Sequence, residues 1–343
     1  MKYLNILLII LPFIFSCSSD TPENDKEKIP PIIDTSIRVG TFNVGVGQTA
    51  TAEEIALSLK SFYLDILSLE ECPILIDKNS EVEEFYSIIG KALGMEYFYI
   101  GDISSGNHWI EWGKDKTGKY AGKYKVILSK TPILQSKEFA LEGKGWTHSS
   151  TIRIETKIKN KELTFYSLHI PGSAGVVEGS VMKNLVDVVL MKDTSKRIIV
   201  MGDFNDYPNN KSIRKILEAE APPIRSDSLD IAIHPATSPP SLSPLKLYHL
   251  LARKATSRHF GSYKYHRKWG LLDHLIVSGN LLDTSSKFFT GEDKATVARL
   301  PFLLTEDKKY GDDEPFRTYK GMKYQGGISD HLPVYADFEL ILY

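Results

Sequence analysis

The chain has little cysteine: Cys17 and Cys72 are the only two in 343 residues. A disulfide framework is thus excluded as its main source of stability, which must come from a core. It also lacks a charge excess, with 42 Lys and Arg against 43 Asp and Glu, so no global field draws it to DNA. No internal repeat is present, and the one long apolar run, Leu4 to Phe15, is too short to span a bilayer as a helix. The rest has the ordinary balance of a globular protein, 42% hydrophobic and 25% charged. Its length exceeds the usual single domain, yet a layered α/β fold can absorb it in one unit.

The apolar run follows Lys2 and suits the h-region of a secretory signal. It ends at Ile14-Phe15-Ser16-Cys17, which resembles the lipobox of bacterial lipoproteins, with Cys17 as the lipidated residue. Residues 1–16 are expected to be a lipoprotein signal peptide, 17–36 a flexible tether, and 37–343 the functional domain. Removal of 1–16 takes away only Lys2 among charged residues and lowers the net charge from -1 to -2. The expected location is the cell envelope, with a monomer held to a membrane through its N-terminal lipid and facing the periplasm or the cell surface.

Beyond the tether, strand and helix patterns alternate. Ile37 to Val44 and Asp65 to Leu69 read as strands, and Thr51-Ala52-Glu53-Glu54 as a capping box opening a helix. Glu81 to Leu93 and Val176 to Met191 read as helices, with a shorter one near Lys211 to Ala219. Met95–Ile100, Tyr124–Ser129, Ile152–Ile158, Leu163–Leu168, Arg197–Met201 and Val334–Phe338 read as strands. His234 to Pro244, rich in Pro and Ser, reads as a surface loop. Hairpins mixed with helical crossovers predict an α/β fold of two packed sheets flanked by helices, not a doubly wound parallel sheet.

Six islands place polar residues at the edges of apolar strands: Thr41-Phe42-Asn43-Val44, Asp65 to Glu71, Ser167-Leu168-His169, Gly202-Asp203-Phe204-Asn205, Leu272 to Ser278, and Ser329 to Val334. Strand alternation sends Glu70 and Glu71 to opposite sides, so that one can face a site, and puts Asp203 and Asn205 on one side. Together and in this order the islands closely resemble the endonuclease/exonuclease/phosphatase superfamily, which includes pancreatic-type deoxyribonuclease, abasic-site endonucleases, bacterial sphingomyelinases and inositol-polyphosphate phosphatases. The resemblance covers residues 37–343 and implies a four-layer α-β-β-α sandwich of two mixed, largely antiparallel sheets. Gly261 to Trp269, with Phe316 to Tyr319 and Tyr324 to Gly327, resembles a secreted Bacteroidetes-type lipoprotein subgroup.

The resemblance also implies roles. Glu71 would be the main metal ligand with Asn43, and Asp330 would join the metal site or hydrogen-bond His169. His331 would take a proton from water, with Asp273 accepting its other N–H. Asp203 would orient the nucleophile or assist the leaving group, while Asn205 and His169 contact phosphate. Arg317 and Lys320 are candidate further phosphate contacts. Oxygen donors without cysteine favour Mg²⁺ or Mn²⁺ over Zn²⁺. The expected activity is a metal-dependent, nuclease-like phosphodiesterase acting on a phosphoester of nucleic acid, phospholipid head group or sugar phosphate. Sphingomyelinase-like or inositol-phosphate phosphatase activity is the alternative within the class, and a non-catalytic surface binding lipoprotein the alternative outside it.

The sequence departs from the family where Lys125 interrupts Tyr124 to Ser129, and where His274 follows Asp273. Glu111, Tyr120 and Tyr124 are candidates for a side chain orienting His169. Cations interleave with aromatics from Arg253 to Trp269, a pattern that suits stacked bases or a phosphate-bearing substrate, or equally a guarded strand edge.

Overall fold

The computed structural model describes residues 32–45, 49–76, 82–105, 114–143, 148–170, 176–223, 246–321 and 323–342. The signal peptide, Cys17, most of the tether, Glu111 and the 234–244 loop lie outside the described residues.

The chain opens with β1 (Ile32–Asn43), α1 (Ala52–Leu59), β2 (Ile66–Leu75), α2 (Phe85–Leu93), β3 (Tyr97–Ile100), β4 (Tyr120–Ser129) and β5 (Ile133–Glu142). There follow β6 (His148–Ile158), β7 (Lys161–His169), α3 (Val176–Asn184), β8 (Ile198–Asp203), β9 (Leu247–His249), β10 (Tyr263–Tyr265), β11 (Lys268–Gly270) and β12 (Asp273–Ser278). After β13 (Phe288–Phe289) and β14 (Ala295–Val297) come two short hairpins, β15 (Leu304–Glu306) with β16 (Asp313–Pro315) and β17 (Tyr319–Lys320) with β18 (Lys323–Tyr324). The long strand β19 (Val334–Leu342) closes the fold.

Two large sheets result, one in the order β13-β19-β1-β2-β4-β3 with β14 also on β19, the other β5-β6-β7-β8-β12-β9. Only β1–β2 and β7–β8 pair in parallel; every other pair in them is antiparallel. Period-two alternation explains why they stack. In the second sheet Phe165, Ile199, Met201, Leu275 and Val277 point inward and join Val39, Leu67 and Val126 of the first in one core. The intervening Tyr166, Ile198, Val200 and Ile276 point outward onto Val181, Met182 and Leu185 of α3 and the turn after it. Ile55, Leu59, Phe85 and Ile89 of α1 and α2 cover the other side. Burial of each such side chain stabilises the fold by about 1.5–3 kcal/mol. The layers run α-β-β-α, as expected.

Local chemistry sets the element ends. The Thr51 hydroxyl accepts the Glu54 N–H at 3.3 Å while the Glu54 carboxylate accepts the Thr51 N–H at 2.8 Å, the capping box read in the sequence. The β6–β7 hairpin turns on Lys159 and Asn160 alone, both with φ positive (46° and 65°), and Lys161 and Glu162 already belong to β7.

Three expectations change. β1 starts at Ile32, pairing with Leu342 of β19, so the tether ends before residue 36. The helix expected over 176–191 is regular only to Asn184 and then opens into a wide turn at Leu185–Val189. β5 was not foreseen: it pairs only with β6 at a sheet edge, is mostly exposed, and so carries no apolar alternation to read. Among the described residues no helix is long and apolar enough to cross a membrane.

Candidate functional site

Asp203 shares the inward parity of Ile199 and Met201, Asp273 that of Leu275 and Val277, and His169 that of Phe165 and Ser167. Register then sets them abreast: His169 is opposite Asp203 in the parallel β7–β8 pair, and Asp273 is opposite Asp203 in the antiparallel β12–β8 pair. His169, Asp203 and Asp273 thus form one buried row at the end of the sheet, facing the first sheet. Gly202 makes the row possible. Its φ is +131°, and a Cβ there would lie 1.9 Å from the carbonyl oxygen of Leu168.

The first sheet supplies the opposing side. Asn43 ends β1 and its amide nitrogen donates to Asp203 Oδ2 at 2.8 Å, joining the sheets; its Oδ1 accepts the Gly45 N–H at 2.8 Å. His331 precedes β19. Its Nδ1 is 2.7 Å from Asp273 Oδ2, and its Nε2 is 3.9 Å from Asp203 Oδ2. The Ser329 hydroxyl donates to the Asn43 carbonyl (2.7 Å) and accepts the His331 N–H (3.1 Å), fixing the His331 segment to the end of β1.

Glu70 and Glu71 behave differently from simple alternation. The β2–β4 register shifts between Leu69 and Cys72, and Glu71 sits there with φ +52°. This bulge turns both carboxylates toward the second sheet, which corrects the expectation that they part. Glu70 is fully buried, accepting hydrogen bonds from Thr41 (2.8 Å) and Ser68. Glu71 reaches the rim, 3.3 Å from His169 Nε2, and accepts a hydrogen bond from Lys123 Nζ at 2.8 Å.

The other expected residues are placed as follows. Asn205, with φ +49°, donates its backbone N–H to Asp203 Oδ1 (2.8 Å) and its side-chain amide to the Ile170 carbonyl (2.8 Å), so it braces the turn that carries Asp203. Asp330 does not hydrogen-bond His169; it faces Arg317 at 3.8 Å and would lie 3.1 Å from a Cβ at Gly45. Lys320 pairs with Glu314. The Tyr120 hydroxyl donates to the Glu83 carbonyl and the Tyr124 ring packs on Gly122, so neither orients His169, whose Nδ1 has no partner among the described residues. His274 points outward, bridging His249 (2.6 Å) and the Asp206 carbonyl (3.0 Å) behind the site.

Burial dominates the electrostatics. Desolvation pushes the Glu70 carboxyl up to about 8, aided by Asp273 and Asp203, although the Ser68 and Thr41 hydrogen bonds oppose it. Asp203 is raised to about 7 by desolvation and Asp273, against the pull of His331. For His331 burial opposes the charge, but Asp273 and Asp203 outweigh it and hold the imidazolium well above the ordinary histidine range. His169 is driven well below that range by burial and by Lys123, Lys125 and His331, and is neutral.

Lys123, Lys125, Glu70 and Ser329 were given no role in the sequence reading. A lysine inside the apolar run 124–129 was the visible signal for Lys125, which is wholly buried and donates to the Ser105 hydroxyl at 3.0 Å.

Asp203, Asp273 and His331 each offer a donor atom within 4.8 Å of the others, a group that could hold a metal ion. Asp273 Oδ1 in this group is buried with no hydrogen-bond partner. The carboxylate oxygens of this group, together with the nearby Glu71 carboxylate, fit a hard divalent cation, whereas the imidazole is the softer donor of the set.

Comparison with known proteins agrees with this architecture. No curated protein matches the chain. Among solved structures, an endonuclease/exonuclease/phosphatase family protein from Leptotrichia buccalis superposes with a TM-score of 0.52 at 14% identity, over 90% of this chain and 100% of that one. The mannosyl-6-phosphatase of Bacteroides thetaiotaomicron gives 0.53 at 16% identity over 89% and 100%. The human Nocturnin catalytic domain gives 0.54 at 14% identity over 90% and 95%. Residues 152–340, more than half of the sequence, match the sequence model of the Endonuclease/Exonuclease/phosphatase family, and the chain belongs to that family.

Proposed function

We propose that the protein is a divalent-metal-dependent phosphoester hydrolase, a nuclease-like phosphodiesterase that uses His331 to activate water. The observation that carries this reading is the His331–Asp273 contact at 2.7 Å, which leaves Nε2 directed at Asp203 3.9 Å away. Asp273 accepts the Nδ1 proton, fixes the tautomer and raises the basicity of Nε2. The two buried carboxylates favour the imidazolium, and the positive charge of a bound divalent cation would oppose them and favour the neutral imidazole that accepts a proton from water. Asn43 and Asn205 hold Asp203 in place through both carboxylate oxygens. Neutral His169 and Asn205 line the phosphate side. On this reading Glu71 is the principal metal ligand, with Asn43 and Asp330 as further ligands. Mg²⁺ or Mn²⁺ bound there would neutralise the non-bridging phosphate oxygens and stabilise the leaving oxygen. On this reading Cys17 is lipidated and the domain works at the cell envelope; Cys17→Ser should then release it from membranes.

A panel of DNA, RNA, sphingomyelin, phosphoinositide and sugar phosphate, each with Mg²⁺ or with EDTA, tests the activity. EDTA-sensitive cleavage of a phosphodiester is expected. No metal-dependent turnover on any member would leave a binding protein instead, and exclusive turnover of monoesters would refute the diester assignment.

A further inference from the structure

The β10–β11 hairpin is joined to the catalytic segment: the Leu332 N–H donates to the Ser262 carbonyl at 2.7 Å, and the Tyr263 ring lies 4.9 Å from the His331 ring. Alternation gives the hairpin two faces. Lys264 and Trp269 point to the protein, where Lys264 is buried against Asp307 at 3.0 Å and the Trp269 indole N–H donates to Asp312 at 3.2 Å. Asp307 and Asp312 are thereby bound on its inner face.

The outer face carries Tyr263, Tyr265 and Lys268, with Gly270 opposite Tyr263. Gly270 matters because the Tyr207 ring, from the turn after Asn205, lies on it: a Cβ there would be 2.6 Å from that ring. Tyr207 is 48% exposed and Tyr265 63%. At the hairpin tip His266, with φ +54°, stacks on Tyr265 at 4.1 Å and meets Tyr310 at 5.0 Å. Cations accompany the rings. The Arg317 guanidinium sits 5.4 Å above Tyr263, its Nη2 donating to the Lys264 carbonyl at 3.0 Å and its Nη1 3.8 Å from Asp330, while the exposed Arg267 and Lys268 have no ion-pair partner among the described residues.

We propose that this outer face, with Tyr207 and Arg317, is a docking strip for single-stranded polynucleotide whose scissile phosphate lies at His331. It rests on the phosphodiesterase reading above. Tyr263 is half-buried between Arg317 and His331 and joins the strip to the catalytic histidine, and Tyr265, two residues on and about 7 Å along the strand, with Tyr207 supplies the exposed rings. Exposed ring faces beside fixed cations match unpaired bases on a phosphate chain, whereas a duplex hides its base faces and a neutral glycan has no use for the cations.

The test uses the full chain and its Tyr265→Ala and Arg267→Ala/Lys268→Ala variants, which alter exposed residues remote from the reacting groups. Fluorescence anisotropy with labelled ten-nucleotide oligo-dT in EDTA reads binding alone. KM for two- and ten-nucleotide substrates, and turnover of bis(p-nitrophenyl) phosphate, read catalysis. Tyr265→Ala should weaken ten-nucleotide binding and raise its KM about tenfold, with the dinucleotide and bis(p-nitrophenyl) phosphate unaffected. The double variant should flatten the salt dependence by a slope of about 1.4 in log units, the share of two phosphate contacts on a single strand. Ten-nucleotide affinity within twofold of the parent in all variants overturns the strip, as does equal sensitivity of a phosphorylated glycan to the same changes. Variant-sensitive binding without any hydrolysis would keep the strip and refute the proposed activity.

Discussion

Glu70→Gln should make the protein more stable, and only at neutral to alkaline pH. Glu70 is fully buried between the sheets, its Oε1 accepts from Thr41 and Ser68, and its Oε2 has no partner. Burial raises this carboxyl from 4.5 to about 8. A folded-state value above the unfolded one means that the folded chain binds the extra proton, so the group's contribution is fully present below about 4.5 and is lost as pH rises through about 8. At about 1.4 kcal/mol per pH unit the ionised carboxylate costs the fold roughly 5 kcal/mol above that range, an upper figure that relaxation reduces. Glutamine keeps the acceptor for Thr41 and Ser68 and resembles the neutral acid, which cannot ionise. Urea unfolding in EDTA at pH 5, 7 and 9 should show the two proteins nearly equal at pH 5, with the variant ahead by several kcal/mol at pH 9. Lys125, buried and lowered to about 8, has the opposite trend at higher pH; because the Glu70 charge is one of the causes that hold it up, the substitution also removes that attraction and trims the gain at pH 9. A difference that stays flat from pH 5 to 9 would refute the reasoning, since it would mean that Glu70 ionises at its ordinary value in the folded protein.

Other outcomes follow from the same geometry. His331→Ala should lower kcat by roughly 10²–10⁴ without unfolding the domain, even at saturating Mg²⁺; near-normal turnover would remove it from the mechanism. Glu71→Ala should lose activity too, but recover part of it in excess metal, which a metal titration of kcat/KM would reveal. Gly202→Ala forces a Cβ to 1.9 Å from the Leu168 oxygen at a φ of +131°, and should cost more than about 3 kcal/mol by urea melting; a loss under about 1 kcal/mol would contradict the close β7–β8 approach. Cys72 is buried, its thiol raised well above the ordinary range by desolvation, Glu84 and Glu70. A thiol reagent should therefore label it only after denaturation, and rapid labelling of the native protein would show the β2 end to be open.

Much of the fold was legible because its strands alternate strictly where they matter. In β8 the sequence Ile198-Ile199-Val200-Met201-Gly202-Asp203 assigns inner and outer faces residue by residue, and Asp203 inherits the inner face from Ile199 and Met201. β5 escaped because an exposed edge strand needs no such pattern. The regular end of α3 at Asn184 escaped because the apolar period continues through Leu185 and Val189 while the backbone opens into a wider turn. The strip at Tyr263–Lys268 was visible as composition, but which residues faced outward depended on the packing of Lys264 on Asp307 and of Trp269 on Asp312, a long-range fact.

The site was legible in residue types and not in geometry, and the Glu70–Glu71 pair shows why. Alternation alone predicts that adjacent carboxylates on a strand diverge. The register shift after Leu69 and the left-handed φ at Glu71 cancel that divergence, so that one acid lies under the site and the other at its rim. A bulge depends on how β2 meets β4, whose Lys123 and Lys125 then face the same acids: Lys123 bonds Glu71, and the Glu70 field raises Lys125 against its burial. Four ionisable side chains from two neighbouring strands are therefore one electrostatic unit beneath His169 and Asp203. Replacing Lys123 by Met should consequently act on His169 as well as on Glu71, because its positive charge is the second cause, after burial, of the neutral state of His169. An NMR titration of His169 should move upward in Lys123→Met, and an unchanged titration would show that burial alone holds the imidazole neutral.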